Sequence, residues 1–222
     1  FYTLTGRPDA PVVVLIHGLG LNHACWQWLA PVLATDFRVL CYDLIGHGQS
    51  AAPIGQPVLK DLSDQLAALL DHIGVEKAAL VGFSLGGMVA RRFAQDHASR
   101  TTALVLLHSP HMRTEQAQAA ILARVEQARG QGPGATVEAA LERWFTTPYR
   151  TANAAMMQRV RGWVLANDPA VYPQLYRVLA EGVAEIIAPE PALRCPALAI
   201  TADEDFGNGP EMSRAIAAEI DG

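Results

Sequence analysis

Five short apolar runs set the limits on what this chain can fold into. They are "PVVVLIH" (11–17), "FRVLCYD" (37–43), "AALVGF" (78–83), "TALVLLH" (102–108) and "PALAIT" (196–201). A strand with one wet face alternates apolar and polar residues. These runs are almost continuous, as in strands buried on both faces, so they predict a parallel sheet sandwiched between helices. The segments between them fit that plan. In 59–73, Leu59, Leu62, Leu66, Leu69, Leu70 and Ile73 recur at helical spacing on one face, and Gly74 ends the run. Further helices are expected at 85–97 and 211–220. Strand and helix in alternation define an α/β fold.

The rhythm stops between about 111 and 188. No strand-like run occurs there, and helical patterns cover 113–129, 135–145, 152–166 and 169–187, the first two parted by "GQGPG". The reading is a core formed by 1–110 and 189–222, with a helical insertion at 111–188. The chain of 222 residues is long enough for one such unit with a sizeable core. Its net charge of −5 offers no attraction to nucleic acid or to an anionic membrane. No apolar run reaches membrane-spanning length. Cys25, Cys41 and Cys195 are odd in number, scattered, and without metal or disulfide spacing. They imply a reducing, cytoplasmic setting.

Chemistry enters at "LVGFSLGGMVARRFA" (80–94). A strand ends at Phe83 and a helix starts at Leu85, which leaves Ser84 in a sharp turn. Such a turn strains the backbone and lifts the hydroxyl above the sheet. Gly82 and Gly86 are needed because side chains there would collide. The Leu85 N–H, at the helix start, points where an oxyanion would form. "IHGLG" (16–20) closes the first long apolar run, and its Leu19 N–H is the expected second oxyanion donor. A dinucleotide-binding glycine pattern fails here, because position 23 is His.

With "DLIGHGQS" (43–50) the set is complete. H-G-x-G, D-x-x-G-H-G-x-S and G-x-S-x-G-G at these intervals resemble the α/β-hydrolase superfamily across the whole chain outside the insertion. The resemblance implies an α/β-hydrolase fold, a mostly parallel sheet flanked by helices with a helical cap insertion. It also implies a Ser–acid–His triad and no metal or organic cofactor. In that family the G-H-G-x-S turn is structural, which assigns His47 and Ser50 to the turn. The acid follows the run 196–201. Ala202 stands where the family commonly has glycine, so Asp205 matches the catalytic acid, with Asp203 as the fallback and Glu204 a solvated charge. The acid's role would be to fix and stabilise the imidazole.

The base is the missing partner. Family order is Ser, acid, His, and no histidine follows Asp205. Of the seven histidines, His17 belongs to the oxyanion turn and borders the pocket, and His23 is a candidate for the pocket rim. His72 and His97 suit helix C-termini. His108 closes a core strand at the ligand-binding edge and is read as pocket lining or strand cap, not as the base. The opening "FYTLTG" reads as the middle of a strand. The expectation is therefore a chain that continues past both ends, with its base beyond Gly222.

The insertion resembles the cap of 3-oxoadipate enol-lactonases, through "ATVEAALERWFTTPYR" (135–150) and "RVRGWVLANDPAVYPQLYRVL" (159–179). Those lactonases tend to carry Asn-Ser-Leu-Gly where this chain has His17-Gly18-Leu19-Gly20, so a general carboxylesterase fits as well. Trp144 is the pocket candidate among the cap aromatics. Arg143, Arg150, Arg159 and Arg161 are read mainly as solvated helix faces. The implied partner is a small ester or lactone. The same apparatus also serves cofactor-free haloperoxidases, carbon–carbon bond hydrolases and peptidases, and a chain that truly stopped at Gly222 would suit a non-catalytic ligand binder.

Overall fold

The computed structural model describes residues 1–222. Six strands form one sheet: β1 (Tyr2–Gly6), β2 (Val12–Ile16), β3 (Arg38–Tyr42), β4 (Ala78–Phe83), β5 (Thr101–Leu107) and β6 (Ala197–Ile200). Their spatial order is β1-β3-β2-β4-β5-β6. β1 pairs antiparallel with β3, and every other pairing is parallel. "FYTLTG" is thus an edge strand, and the five apolar runs are the parallel strands.

Burial on both faces explains the continuous apolar runs of β2, β3 and β4, but not that of β6, which lies at the edge of the sheet and is largely exposed, with Leu198 at 53% and Ile200 at 43%. Val14, Ile16, Leu40, Tyr42, Leu80, Leu104 and Leu106 face one side, where they join the main core. That core includes Leu59, Leu62, Leu66 and Leu70 of α2 (Leu59–His72) and Met88, Val89 and Phe93 of α3 (Leu85–Asp96). Their neighbours Val13, Leu15, Val39, Cys41 and Val81 face the other side, against Trp26, Leu29 and Leu33. Leu33 belongs to a short α1 (Ala30–Leu33).

Between β5 and β6 run five helices: α4 (Glu115–Gln131), α5 (Val137–Trp144), α6 (Thr147–Ala152), α7 (Ala154–Leu165) and α8 (Tyr172–Glu181). Two departures from the sequence pattern have plain causes. α6 was not expected. It forms because Thr146 caps it, its side chain accepting from the Tyr149 N–H, with Pro148 in the first turn where its missing donor costs nothing. α8 starts at Tyr172 rather than 169, with Pro173 in its own first turn, and ends at Glu181 before a 3₁₀ turn over Gly182–Glu185.

The last helix, α9 (Pro210–Ala218), packs beside β6. Just past it, Glu219 ties both connections of the helical segment to the core. One carboxylate oxygen accepts from His111 Nε2 (2.9 Å), which precedes α4, and from the Ala188 N–H (3.0 Å), which follows α8. The other accepts from Arg91 of α3 (2.7 Å), whose guanidinium also donates to the Ile186 carbonyl (2.7 Å). Arg91 is 1% exposed, and a charge so buried requires such partners.

Candidate active site

Every candidate group lies at the carboxyl ends of the parallel strands, the edge where open α/β sheets bind ligands. β4 ends at Phe83 and α3 begins at Leu85, leaving Ser84 at φ 54°, ψ −114°. A non-glycine residue at that φ is strained and persists only where its surroundings enforce it. Here they do. A Cβ on Gly82 would overlap the Gly86 carbonyl, and one on Gly86 would overlap the Ile16 carbonyl. Both positions accept only glycine, and the absence of their side chains lets β2, β4 and α3 close around the turn.

The turn that follows β2 lies beside Ser84. A Cβ on Gly18 would stand 3.2 Å from Ser84 Cβ, so the 17–20 turn lies directly against the nucleophile candidate. Within it, the Leu21 N–H donates to the Gly18 carbonyl and the Gly20 N–H to His47 Nε2 (3.0 Å). The Leu19 N–H between them is not used in either bond. Leu85 opens α3, and the first N–H groups of a helix have no acceptor within it. Two unengaged donors thus lie near Ser84, one in the turn after β2 and one at the start of α3.

The histidines beneath this turn are scaffolding. His17 is fully buried, which removes it from the pocket wall where the sequence reading had placed it. Its Nδ1–H donates to the Gly18 carbonyl (2.8 Å) and its Nε2 accepts from the Leu44 N–H (3.0 Å). His47 repeats the arrangement, with Nδ1 on the Ile45 carbonyl (3.2 Å) and Nε2 on Gly20. Burial drives the His47 imidazole down to about 3, with nearby His17 adding to the effect. Burial lowers His17 as well, against the opposing pull of the Gly18 carbonyl. Both rings stay neutral and cross-link the 17–20 turn to the 44–47 turn.

His23 is half-buried. Its Nδ1 donates to Asp43 Oδ1 (2.8 Å) and its ring lies against Phe1 (4.7 Å between centroids). Asp43 is completely buried and also receives the N–H groups of His23 (2.7 Å) and Gln49 (2.9 Å). Burial pushes its carboxyl up, but the Gln49 and His23 bonds outweigh it and hold the group below the ordinary range. Ser50 Oγ donates to the Asp43 carbonyl (2.6 Å), so this assembly fastens the 43–50 turn.

Asp205 follows β6, on the other side of β4 from β2. Asp205 Oδ1 accepts from the N–H groups of Gly207 (2.9 Å) and Asn208 (2.8 Å). Its Oδ2 accepts from His108 Nδ1 (2.6 Å), with Thr201 Oγ 3.2 Å away. Burial raises the carboxyl, and the bonds from His108, Asn208 and Gly207 more than reverse that, leaving it lowered. Asp203 and Glu204 are exposed. His108 itself has φ 48° and is more than a strand cap, because its side chain is committed to Asp205. Thr201 and Asn208 escaped the sequence reading. The Asn208 amide donates to the His108 carbonyl (2.9 Å), and Thr201 Oγ donates to the Asn208 carbonyl (2.8 Å). Only their place in the post-β6 loop could have flagged them.

Over the turn, Leu21, Leu141, Met157 and Val160 form a small apolar cluster against which Phe83, Phe145 and Trp163 pack. Trp144 is not part of it and is 44% exposed. It is the last residue of α5 and lies off the cluster that carries Leu141, while Phe145, extended just past the helix, packs on that cluster. Arg161 forms a two-pronged pair with Glu138, and Arg159 lies over the Trp28 ring (5.5 Å). No group of three or more His, Cys, Asp or Glu side chains is arranged to hold a metal ion, and no helix is long and apolar enough to cross a membrane.

Comparison with known proteins places this architecture. A family model described as the alpha/beta hydrolase fold matches residues 11–221. The chain is 28% identical over 184 residues to 3-oxoadipate enol-lactonase 2 of Acinetobacter baylyi, covering 83% of this chain and 62% of that protein. It is 30% identical over 209 residues to a putative carbamate hydrolase RutD of Stutzerimonas stutzeri, covering 92% and 78%. The crystal structure of the enol-lactonase from Burkholderia xenovorans LB400 matches with a TM-score of 0.90 at 27% identity, over 99% of this chain and 84% of that one.

Proposed function

Because the chain belongs to the alpha/beta hydrolase fold family, we propose that it is a serine hydrolase that cleaves a carboxylic ester or lactone through an acyl-enzyme. The observation that carries this reading is the strained Ser84 turn between two unengaged N–H groups, Leu19 and Leu85. Ser84 Oγ attacks the carbonyl carbon. The two N–H groups receive the charge that develops on the carbonyl oxygen, in a site whose dipoles are fixed before the reaction starts. An imidazole held by Asp205 takes the serine proton and returns it to the leaving alcohol. Water then releases the acid by the same steps in reverse.

The similar proteins support the choice of substrate class. One is named for a lactone and one for a carbamate, and both bonds are opened by attack on a carbonyl. The apolar cluster of Leu21, Leu141 and Met157, with Phe145 and Trp163 packed on it, suits an acyl or lactone ring carbon skeleton. The test is turnover of p-nitrophenyl esters and a lactone panel by Ser84→Ala. A fall of about a thousandfold or more is expected, as when a nucleophile is removed. Unchanged turnover would end the assignment.

A further inference from the structure

We propose that Asn167, in the loop after α7, is a positioning residue for the oxyanion donor Leu19. The proposal rests on Ser84 being the nucleophile and on the Leu19 N–H receiving the oxyanion. It adds a residue of the helical segment that acts on that donor from a distance. The link is a run of hydrogen bonds through the turn after β2. The Asn167 side-chain amide donates from Nδ2 to the Gly20 carbonyl (2.9 Å). The N–H of that same peptide unit, on Leu21, donates to the Gly18 carbonyl (3.2 Å). The peptide unit that accepts it carries the Leu19 N–H on its far side, because carbonyl and N–H point in opposite directions across a trans peptide. Asn167 thus stands at one end of a series of aligned dipoles and the oxyanion donor at the other. Hydrogen bonds in such a series polarise one another, more strongly where water is excluded.

The contact is built, not incidental. Asn167 is buried and lies 147 residues from Gly20 in the chain. All three partners of its Nδ2 are carbonyls, those of Gly20, Trp163 and Val164, each at 2.9 Å. Three acceptors fix the orientation of the amide, since turning it over would set oxygen against oxygen. Two of the bonds close the last turn of α7, and the third reaches the core. Its Oδ1 is buried without a partner, which costs stability. Packing alone gives no reason to keep that group; the donor beside it does.

Gly20 is held from both ends. Its N–H goes to His47 Nε2 (3.0 Å) and its carbonyl to Asn167. Its φ of 76° suits glycine, and a Cβ there would stand 3.2 Å from the Tyr172 ring and 3.4 Å from Val164. α7 and α8 therefore sit directly on the turn. The Gly18 carbonyl answers to both layers. His17 Nδ1 grips it from the core (2.8 Å), and the Leu21 N–H grips it through the peptide that Asn167 holds. The aim of the Leu19 N–H then depends on the docking of the helical segment.

The test compares Asn167→Leu, close in size but without the donor, with the unmodified enzyme. The measurements are ester turnover and binding of a trifluoromethyl ketone, whose adduct with a serine oxygen resembles the charged tetrahedral species. Deleting an oxyanion donor costs about 10²–10³ in kcat, and misaiming one should cost less, about tenfold. Asn167→Leu should therefore lower kcat about tenfold at unchanged KM and weaken the ketone by about the same factor. Val125→Ala, a cavity in the core under α4, should lose stability and keep both kcat and ketone affinity. In the free protein, Asn167→Leu should move the Leu21 and Leu19 amide-proton resonances upfield together, and Val125→Ala should move neither. The amide shifts need no turnover and test the linkage by themselves. Should Asn167→Leu not fold, Asn167→Ala, which adds no bulk, carries the same expectations. Unchanged kcat and ketone affinity would overturn the proposal, and complete loss of turnover in Ser84→Ala would then leave the nucleophile standing. A raised KM at constant kcat would overturn it too, as would an unmoved Leu19 resonance. Turnover by Ser84→Ala at the unmodified rate would overturn both readings.

Discussion

The two flanks of Ser84 use the same side chain in opposite ways. On the β2 side, His17 and His47 are buried, and both nitrogens of each ring are bonded to backbone groups. On the β5 side, the His108 side chain is 36% exposed, with one nitrogen on a carboxylate and the other free. The difference lies in what remains available. A neutral ring with donor and acceptor both satisfied by main chain is a cross-link and has nothing left for a substrate. A ring anchored at one nitrogen by an acid presents the other in a fixed direction. Residue type alone does not separate these roles; the bonding partners do.

The contrast predicts where stability and activity will part. His17→Ala leaves the buried Leu44 N–H without an acceptor and opens a ring-sized cavity. It should cost about 3–5 kcal/mol in urea unfolding. A loss below about 1 kcal/mol, within the range of a surface change, would remove His17 from the scaffold.

The second prediction concerns pH. His47 titrates near 3 when folded, against about 6.5 for an unfolded histidine. Below about 6.5 the unfolded chain takes up a proton that the folded chain refuses, so unfolding becomes easier as pH falls. Stability from this residue is complete above that range and is lost down to about pH 3, at up to about 1.4 kcal/mol per pH unit. His47→Gln, which keeps an acceptor for Gly20 but cannot titrate, should flatten the slope between pH 6 and 4. An unchanged slope would mean that the ring is not neutral in the fold.

His108→Ala should cost less than about 1 kcal/mol, because the pair with Asp205 is partly exposed and solvent weakens it. A large stability loss here would erase the distinction between the two flanks. The smallest effect belongs to His72→Ala, on the exposed last turn of α2, at under about 0.5 kcal/mol. A larger shift would mean that its edge contact with Tyr2 matters to the sheet edge.

The sequence exposed the central parallel strands because double-sided burial demands near-continuous apolar runs, it marked β6 by the same pattern although that edge strand is largely exposed, and it exposed the Ser84 turn because only glycine fits at 82 and 86. It pointed to Asp205 over Asp203 by motif position, and in the structure Asp205 is the one that meets an imidazole. The His108–Asp205 contact was hidden for a physical reason. It spans 97 residues and depends on the side-by-side order of β4, β5 and β6, which no local pattern encodes. Trp144 misled because an aromatic in a matching motif says nothing about where the helix ends. Phe145, one position on and just past the end of α5, is the residue that packs against the Leu21, Leu141, Met157 and Val160 cluster.

Glu219 carries a mechanical consequence. A single carboxylate receives His111 ahead of the helical segment, Ala188 behind it and Arg91 beneath. Swinging the helices outward therefore strains both hinge bonds at once and pulls on the turn that ends α9. The helical segment and the turn after α9 are thus fastened by one latch, and removing the Glu219 carboxylate releases both connections together.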